Sequence, residues 1–342
     1  MTETRRSRLV PEVDFDRDGV QRGFVRLFHS THASAYGFIP IPIVVVKNGE
    51  GPTALFTSGT HGDEYEGQVA LCELARTLRA EDIQGRVIIL PMANYPAALA
   101  GRRVSPIDDA NLNRIFPGDP DGSVTQQIAW FITHELLPRA DLVCDLHSGG
   151  SSLMYAPCVL MTRFADEART AKLREALLAF GAPLAYIAAP AQGQGADQTM
   201  GGVAARQGVP ALGTELGGAG TVTPAALEMA RRGLRNLLVH LGIMPESARL
   251  AAPSPTRVLG VVPDGFLYAP ENGVFEPLAG PGDMVTAGQA AGRIHFPETP
   301  WLAPVELAFP SDGFVLCKRV PARTMRGDCL FGLGVDAVAV SP

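Results

Sequence analysis

Three short segments of this chain hold residue types that bind divalent metals and move protons: His61-Gly62-Asp63-Glu64, Asp145-Leu146-His147 and Gly213-Thr214-Glu215-Leu216-Gly217-Gly218. Two imidazoles and one carboxylate, from His61, His147 and Glu64, leave a further position for water on a zinc ion, and a separate carboxylate, Glu215, can take that water's proton. Such a set describes a hydrolase. A lone His-x-x-Glu tetrapeptide often arises by chance, so the reading rests on how the segments are arranged.

The elements around these residues set that arrangement. Thr53-Ala54-Leu55-Phe56-Thr57 reads as a short buried strand, Gly59, Gly62 and Gly67 punctuate the loop after it, and Val69 to Leu78 has helical periodicity. His61 and Glu64 therefore fall in a tight loop at the carboxyl end of a strand. Leu142-Val143-Cys144-Asp145-Leu146 is a second apolar run, and it ends at His147. Open α/β sheets bind ligands at the carboxyl ends of their strands, so both segments deliver their residues to one rim.

Strand-like runs at 41–46, 53–57, 86–90, 142–146, 184–188 and 211–215 alternate with helical stretches at 68–79, 124–137, 163–180, 199–207 and 224–241. This alternation predicts an α/β fold, a sheet covered by helices on both faces. After the Pro-containing stretch 251–255, Gly and Pro punctuate short alternating segments from Arg257 onward, which predicts a small all-β domain. The expected division is 1–250 and 257–342.

Composition excludes several classes. The 342 residues exceed the usual size of one core, and with 19% charged and 46% apolar residues the chain has an ordinary packed composition. A net charge of −6 gives no footprint for nucleic acid, and Arg5, Arg6 and Arg8 read as a solvated tail. No apolar stretch reaches membrane-span length, and the first ten residues are too polar for a secretory signal, so the expected location is the cytoplasm. The five cysteines are scattered, with no C-x-x-C pair, and are expected to be reduced and mostly in the core.

Five motifs in order carry a resemblance. Gly59-Thr60-His61-Gly62-Asp63-Glu64-Tyr65-Glu66-Gly67, Ser105-Pro106-Ile107-Asp108, Asn111-Leu112-Asn113-Arg114-Ile115-Phe116-Pro117-Gly118, Asp145-Leu146-His147-Ser148-Gly149-Gly150 and Thr214-Glu215-Leu216-Gly217-Gly218 resemble the succinylglutamate desuccinylase/aspartoacylase family, a branch of the zinc carboxypeptidase-like hydrolases. The resemblance implies a mixed sheet flanked by helices and a deacylase of N-acyl amino acids holding one zinc ion per subunit on His61, Glu64 and His147. It implies Glu215 as the proton acceptor, Arg103 as the cation facing the developing oxyanion, and Asn113 with Arg114 as the grip on the substrate's α-carboxylate. Within the family the likeness is strongest to the branch that deacetylates N-acetyl-2,4-diaminobutyrate in ectoine breakdown, through Ser34-Ala35-Tyr36-Gly37, Asp63 to Gly67 and Ser105 to Asp108. Tyr36 and Thr60 stand where that branch has Trp and Asn.

Blander readings stand beside these. Glu215 alone would read as a capping or salt-bridged carboxylate, Arg102 competes with Arg103 for the oxyanion, and Asn111, Asn113 and Arg114 suit a loop bounded by Pro and Gly. Asp145 shares a strand face with His147 and either orients that imidazole or points into the loop. Asp63 and Glu66 either hold the ligand loop's shape or meet a substrate ammonium. His29, His32, His134, His240 and His295 lack ligand partners in sequence. The hairpin-like segments 273–277 and 282–289 resemble those of biotinyl- or lipoyl-carrier barrels, yet none of the three lysines, Lys47, Lys172 and Lys318, falls in the expected turn. The C-terminal region is therefore expected to be a lid or wall of the pocket, or an oligomer contact. The alternatives to the diaminobutyrate deacetylase are a deacylase of N-acetylaspartate or N-succinylglutamate and a metal-binding relative without activity.

Overall fold

Along the central strands, consecutive apolar residues alternate between two cores. Phe56 and Cys144 belong to one, while their neighbours Leu55 and Val143 belong to the other, so each strand is covered on both faces. The computed structural model describes residues 6–164, 166–188 and 196–337. Arg5 lies outside the described residues, as do the two ends of the expected domain division.

The sheet runs in the order Leu9–Pro11, Gly19–Phe28, Phe38–Asn48, Gly85–Leu90, Thr53–Ser58, Leu142–His147, Ala211–Glu215, Cys158–Thr162 and Leu184–Ala188. Its middle is parallel: Leu142–His147 lies between Thr53–Ser58 and Ala211–Glu215, with Ser58 opposite Leu146 and Glu215 opposite His147. That register decides the site. One strand ends on His147, its neighbour ends on Glu215, and the other neighbour leads within three residues to His61.

Helices Tyr65–Thr77, Glu167–Phe180 and Pro224–His240 cover one face, burying Leu71, Leu177, Phe180 and Leu237 in a common core. Helices Val124–Phe131 and Met200–Gln207 cover the other with Ile128, Phe131, Met200 and Val203. The helical stretch expected over 124–137 becomes a wider π turn at Ile132–Leu136 and ends in a tight turn containing Pro138, whose missing N–H cannot continue the ladder. The helix expected from Arg163 starts at Glu167, because the Asp166 carboxylate accepts from the backbone N–H groups of Ala168 (2.9 Å) and Arg169 (3.3 Å).

Among the described residues from Arg257 onward the regular elements are strands, and the first of them does not stand apart from the main sheet. Arg257–Tyr268 pairs in parallel with Leu184–Ala188, so the main sheet continues through Cys329–Asp336 and Gly313–Arg319 to Met284–Val285. A second sheet, Val305–Ala308, Ala290–His295, Gly273–Pro277 and Arg323–Thr324, packs over it around Phe275, Ile294, Phe309 and Phe331. Gly313–Arg319 also pairs with the short strand Leu153–Tyr155, which binds the C-terminal segment to the loops following His147. Among the described residues no helix is long and apolar enough to cross a membrane.

Candidate metal centre

The loop after Thr53–Ser58 turns sharply because Gly62 lies against the backbone of the helix Tyr95–Ala100. A Cβ at Gly62 would fall 1.9 Å from the carbonyl oxygen of Ala97, and its N–H donates to the carbonyl of Arg102 at 2.8 Å. The turn brings His61 and Glu64 together, and His147 arrives from the adjacent strand. Nδ1 of His61 is 2.7 Å from Oε1 of Glu64, and Nδ1 of His147 is 2.8 Å from Oε2 of the same carboxylate. The three donors lie within 4.8 Å of one another, forming a group that can hold a metal ion.

Each imidazole is fixed from behind. Nε2 of His147 meets Oδ2 of Asp145 at 2.7 Å, and Asp145 is held by the hydroxyls of Thr57 (2.8 Å) and Thr60 (3.0 Å). Nε2 of His61 is 3.1 Å from Oδ1 of Asn111, which also accepts from the Asn113 N–H at 2.9 Å. A partner on the far ring nitrogen, with both Nδ1 atoms aimed at one carboxylate, is the arrangement by which proteins orient metal-binding histidines. Of the two readings of Asp145, the geometry favours the one in which it orients the imidazole.

Electrostatics fit the same donor set. Burial works to raise the Glu64 carboxyl, but the two imidazoles outweigh it and hold the group ionised. Burial likewise pushes His147 down, yet Asp145 and Glu64 overcome it and hold the imidazole well above its usual range. His61 goes the other way, lowered chiefly by its burial. The carboxylates of Asp145 and Glu64 thus draw positive charge to the point on which the three donors converge, as a metal site requires.

Glu215, opposite His147, has a buried Oε2 with no hydrogen-bond partner among the described residues. Burial, aided by the charge of Glu64, pushes its carboxyl up to about 8. A capped or salt-bridged carboxylate would show neither feature. The turn after it is pinned by Gly217, whose carbonyl accepts from the N–H groups of Gly149 and Tyr155, both at 3.0 Å. At Gly218 (φ 143°) a Cβ would meet the Leu153 carbonyl at 2.1 Å.

Arg103 directs Nη1 toward Nδ1 of His61 (3.3 Å) and Oε1 of Glu64 (3.5 Å), whereas Arg102 turns outward to Asp109 at 3.7 Å. Asn113 reaches His147 through Nδ2 at 3.4 Å, and Arg114 lies beside it, its guanidinium donating to the Asn113 carbonyl at 2.7 Å. Arg103, Asn113 and Arg114, but not Arg102, line a cavity of about 860 Å³ with His61, Glu64, His147 and Glu215. Asp63 is turned away from it, accepting from the N–H (2.8 Å) and hydroxyl (2.7 Å) of Ser151, so it ties two loops together. Glu66 is fully buried and does not line the cavity among the described residues.

Some contributors carry no sequence signal of their own. Tyr155, Arg163, Asp197 and Arg206 reach the cavity from separate elements, and Thr57 acts through Asp145, as do Thr60 through Asp145 and Asn111 through His61, although these last two lie inside the motifs. The histidines without motifs stay apart: His134 stacks on Trp130, and His295 pairs with Glu276 at 2.7 Å. All five cysteines are free; Cys144, Cys158 and Cys317 are buried, whereas Cys329 is half-buried and Cys72 is exposed.

Comparison with known proteins places this geometry in context. The model of the succinylglutamate desuccinylase/aspartoacylase catalytic domain matches residues 50–241. A protein of Halomonas elongata named N-alpha-acetyl-L-2,4-diaminobutyric acid deacetylase is 44% identical over 330 residues, 96% of this chain and 95% of its own. A crystal structure of a succinylglutamate desuccinylase/aspartoacylase from Rhodobacter sphaeroides is 42% identical with a TM-score of 0.90, covering 96% of this chain and 99% of that one. The product-bound structure of the ectoine utilization protein EutE (DoeB) from Ruegeria pomeroyi is 40% identical with a TM-score of 0.92, covering 97% of this chain and all of its own.

Proposed function

The chain belongs to the succinylglutamate desuccinylase/aspartoacylase family, and from that premise we propose that it hydrolyses N-acetyl-L-2,4-diaminobutyrate to L-2,4-diaminobutyrate and acetate, a step of ectoine degradation. It is a hydrolase of N-acyl amino acids. The observation that carries the reading is the convergence of His61, Glu64 and His147 on one point beside Glu215, whose buried Oε2 has no hydrogen-bond partner among the described residues, in a chain 44% identical to a diaminobutyrate deacetylase.

His61 and His147, each through Nδ1, and Glu64 would hold one zinc ion. Two imidazoles and a carboxylate are the donor set of a hydrolytic site that keeps a position open. When bound, the ion supplies Lewis acidity to the attacking water and to the amide carbonyl. Glu215 takes the proton from water as its oxygen bonds to the acyl carbon, then returns it to the nitrogen as the C–N bond breaks, so acetate and a free amine leave. Arg103 faces the carbonyl oxygen as negative charge builds there. Asn113 and Arg114 hold the α-carboxylate through an amide donor and a guanidinium, which suits a forked contact. The C-terminal strands brace one wall of the pocket through the strand Leu153–Tyr155, which pairs with Gly313–Arg319 and whose Leu153 and Tyr155 line the cavity.

One observation favours a second reading. Arg163 and Arg206 also line the cavity and would suit a distal carboxylate, as in N-acetylaspartate or N-succinylglutamate. Product release from these two compounds and from N-acetyl-2,4-diaminobutyrate, measured side by side, separates the readings. Turnover of the diaminobutyrate derivative at least tenfold above the others supports the proposal, and preference for a dicarboxylic substrate overturns it.

A further inference from the structure

The proposed substrate ends in an ammonium group, yet its cavity is lined by Arg103, Arg114, Arg163 and Arg206. An ammonium entering among guanidinium groups is repelled unless a carboxylate is available to receive it. Four carboxylates line the cavity among the described residues: Glu64, Asp145, Asp197 and Glu215. Glu64 lies between two imidazoles, Asp145 supports His147, and Glu215 sits at the reacting bond. Asp197 is left. Its side chain has no hydrogen bond or ion pair among the described residues, while its backbone carbonyl is held by the guanidinium of Arg206 at 2.5 Å.

Its position fits the size of the substrate. Asp197 lies in the tight turn Ala196–Gln198 just ahead of the helix Met200–Gln207. This turn is docked on the segment that carries Asn113 and Arg114: the N–H of Phe116 donates to the Gln198 carbonyl at 3.1 Å, and the N–H of Met200 donates to Oδ1 of Asn113 at 3.0 Å. Only two methylenes separate the distal ammonium of a 2,4-diaminobutyrate from the carbon bearing its α-carboxylate, so the two charged ends need readers on adjoining segments of one wall. Resting on the function proposed above, we propose that Asp197 reads the distal ammonium and sets the preference for a cationic side chain. Arg206, by gripping the Asp197 carbonyl, holds that carboxylate at the cavity edge.

The test is a ratio. N-Acetylnorvaline has the shape of N-acetyl-2,4-diaminobutyrate with a methyl group in place of the ammonium, and kcat/KM is measured for both with the wild type and with Asp197→Asn. The wild type should favour the ammonium substrate by about 10- to 100-fold, the value of one charge-assisted contact. In Asp197→Asn this preference should fall toward one, with the loss in KM more than in kcat. A variant that keeps the wild-type ratio, including one whose activity drops equally on both substrates, overturns the role of Asp197 and leaves the deacetylase reading intact. A wild type that turns over neither compound yet cleaves N-acetylaspartate overturns both.

Discussion

At the scale of single residues, groups only a few ångströms apart have separate tasks under the proposed function, and substitution should separate them. Glu215→Gln keeps the size and removes the proton acceptor, so it should retain zinc while kcat falls by about 10²- to 10⁴-fold, checked by metal analysis beside acetate release. The same variant tests the electrostatics. Burial raises the Glu215 carboxyl to about 8, so in the metal-free protein at pH 7 it carries a proton, and a nearby cation favours its ionised form. Zinc binding at pH 7 should therefore release more protons from the wild type than from Glu215→Gln, measured by calorimetry in buffers of different ionisation enthalpy. Asp145→Asn leaves His147 without its carboxylate partner and should weaken zinc affinity by about 10- to 100-fold, read by competition with a chelating dye. Equal affinity would mean that Asp145 serves the fold alone.

At the scale of elements, the site is a consequence of strand register and loop compression. Gly62 shows the compression: Gly62→Ala puts a methyl group on the Ala97 carbonyl and should destabilise the protein by about 1–3 kcal/mol, with zinc affinity falling too because His61 and Glu64 move with the loop. Urea melts with and without zinc measure both effects. Much of this was legible in the sequence. The runs ending at Thr57, Leu146 and Glu215 are short, apolar and bounded by Gly, so they read as strands delivering chemistry to one rim. Cys158–Thr162 was not legible, because a continuous run of Cys, Val, Leu and Met has no period that separates strand from helix. Gly19–Phe28 alternates only in part, with Val25 and Leu27 buried between exposed or half-buried residues but two charged Arg residues and Gly23 interrupting the apolar pattern. Arg103 over Arg102 was beyond reach as well, since the choice depends on Asp109, held at a φ of 50°, drawing Arg102 outward. Asp197 carries no motif at all, and its relation to Asn113 exists only once the helix Met200–Gln207 has docked.

At the scale of the whole molecule, a long main sheet holds the metal-binding group at its parallel centre, a second four-stranded sheet packs near its C-terminal end, and the strand Gly313–Arg319 pairs with Leu153–Tyr155 beside the pocket. The described C-terminal elements are strands, and the parallel pairing of Arg257–Tyr268 with Leu184–Ala188 joins them to the main sheet rather than setting them apart from residue 257. No local pattern announces that pairing, because strand order between distant segments is a property of the assembled core. The likeness to relatives at TM-scores of 0.90 and 0.92 spans both parts, so the C-terminal strands belong to the shared architecture. The central claim, that this architecture holds a hydrolytic metal on His61, Glu64 and His147, is tested most directly by one measurement: acetate release from N-acetyl-2,4-diaminobutyrate by the purified protein, after chelation, and after one equivalent of zinc is returned. Turnover should be abolished by chelation and restored by a single equivalent. Turnover that survives complete removal of divalent metal would contradict it.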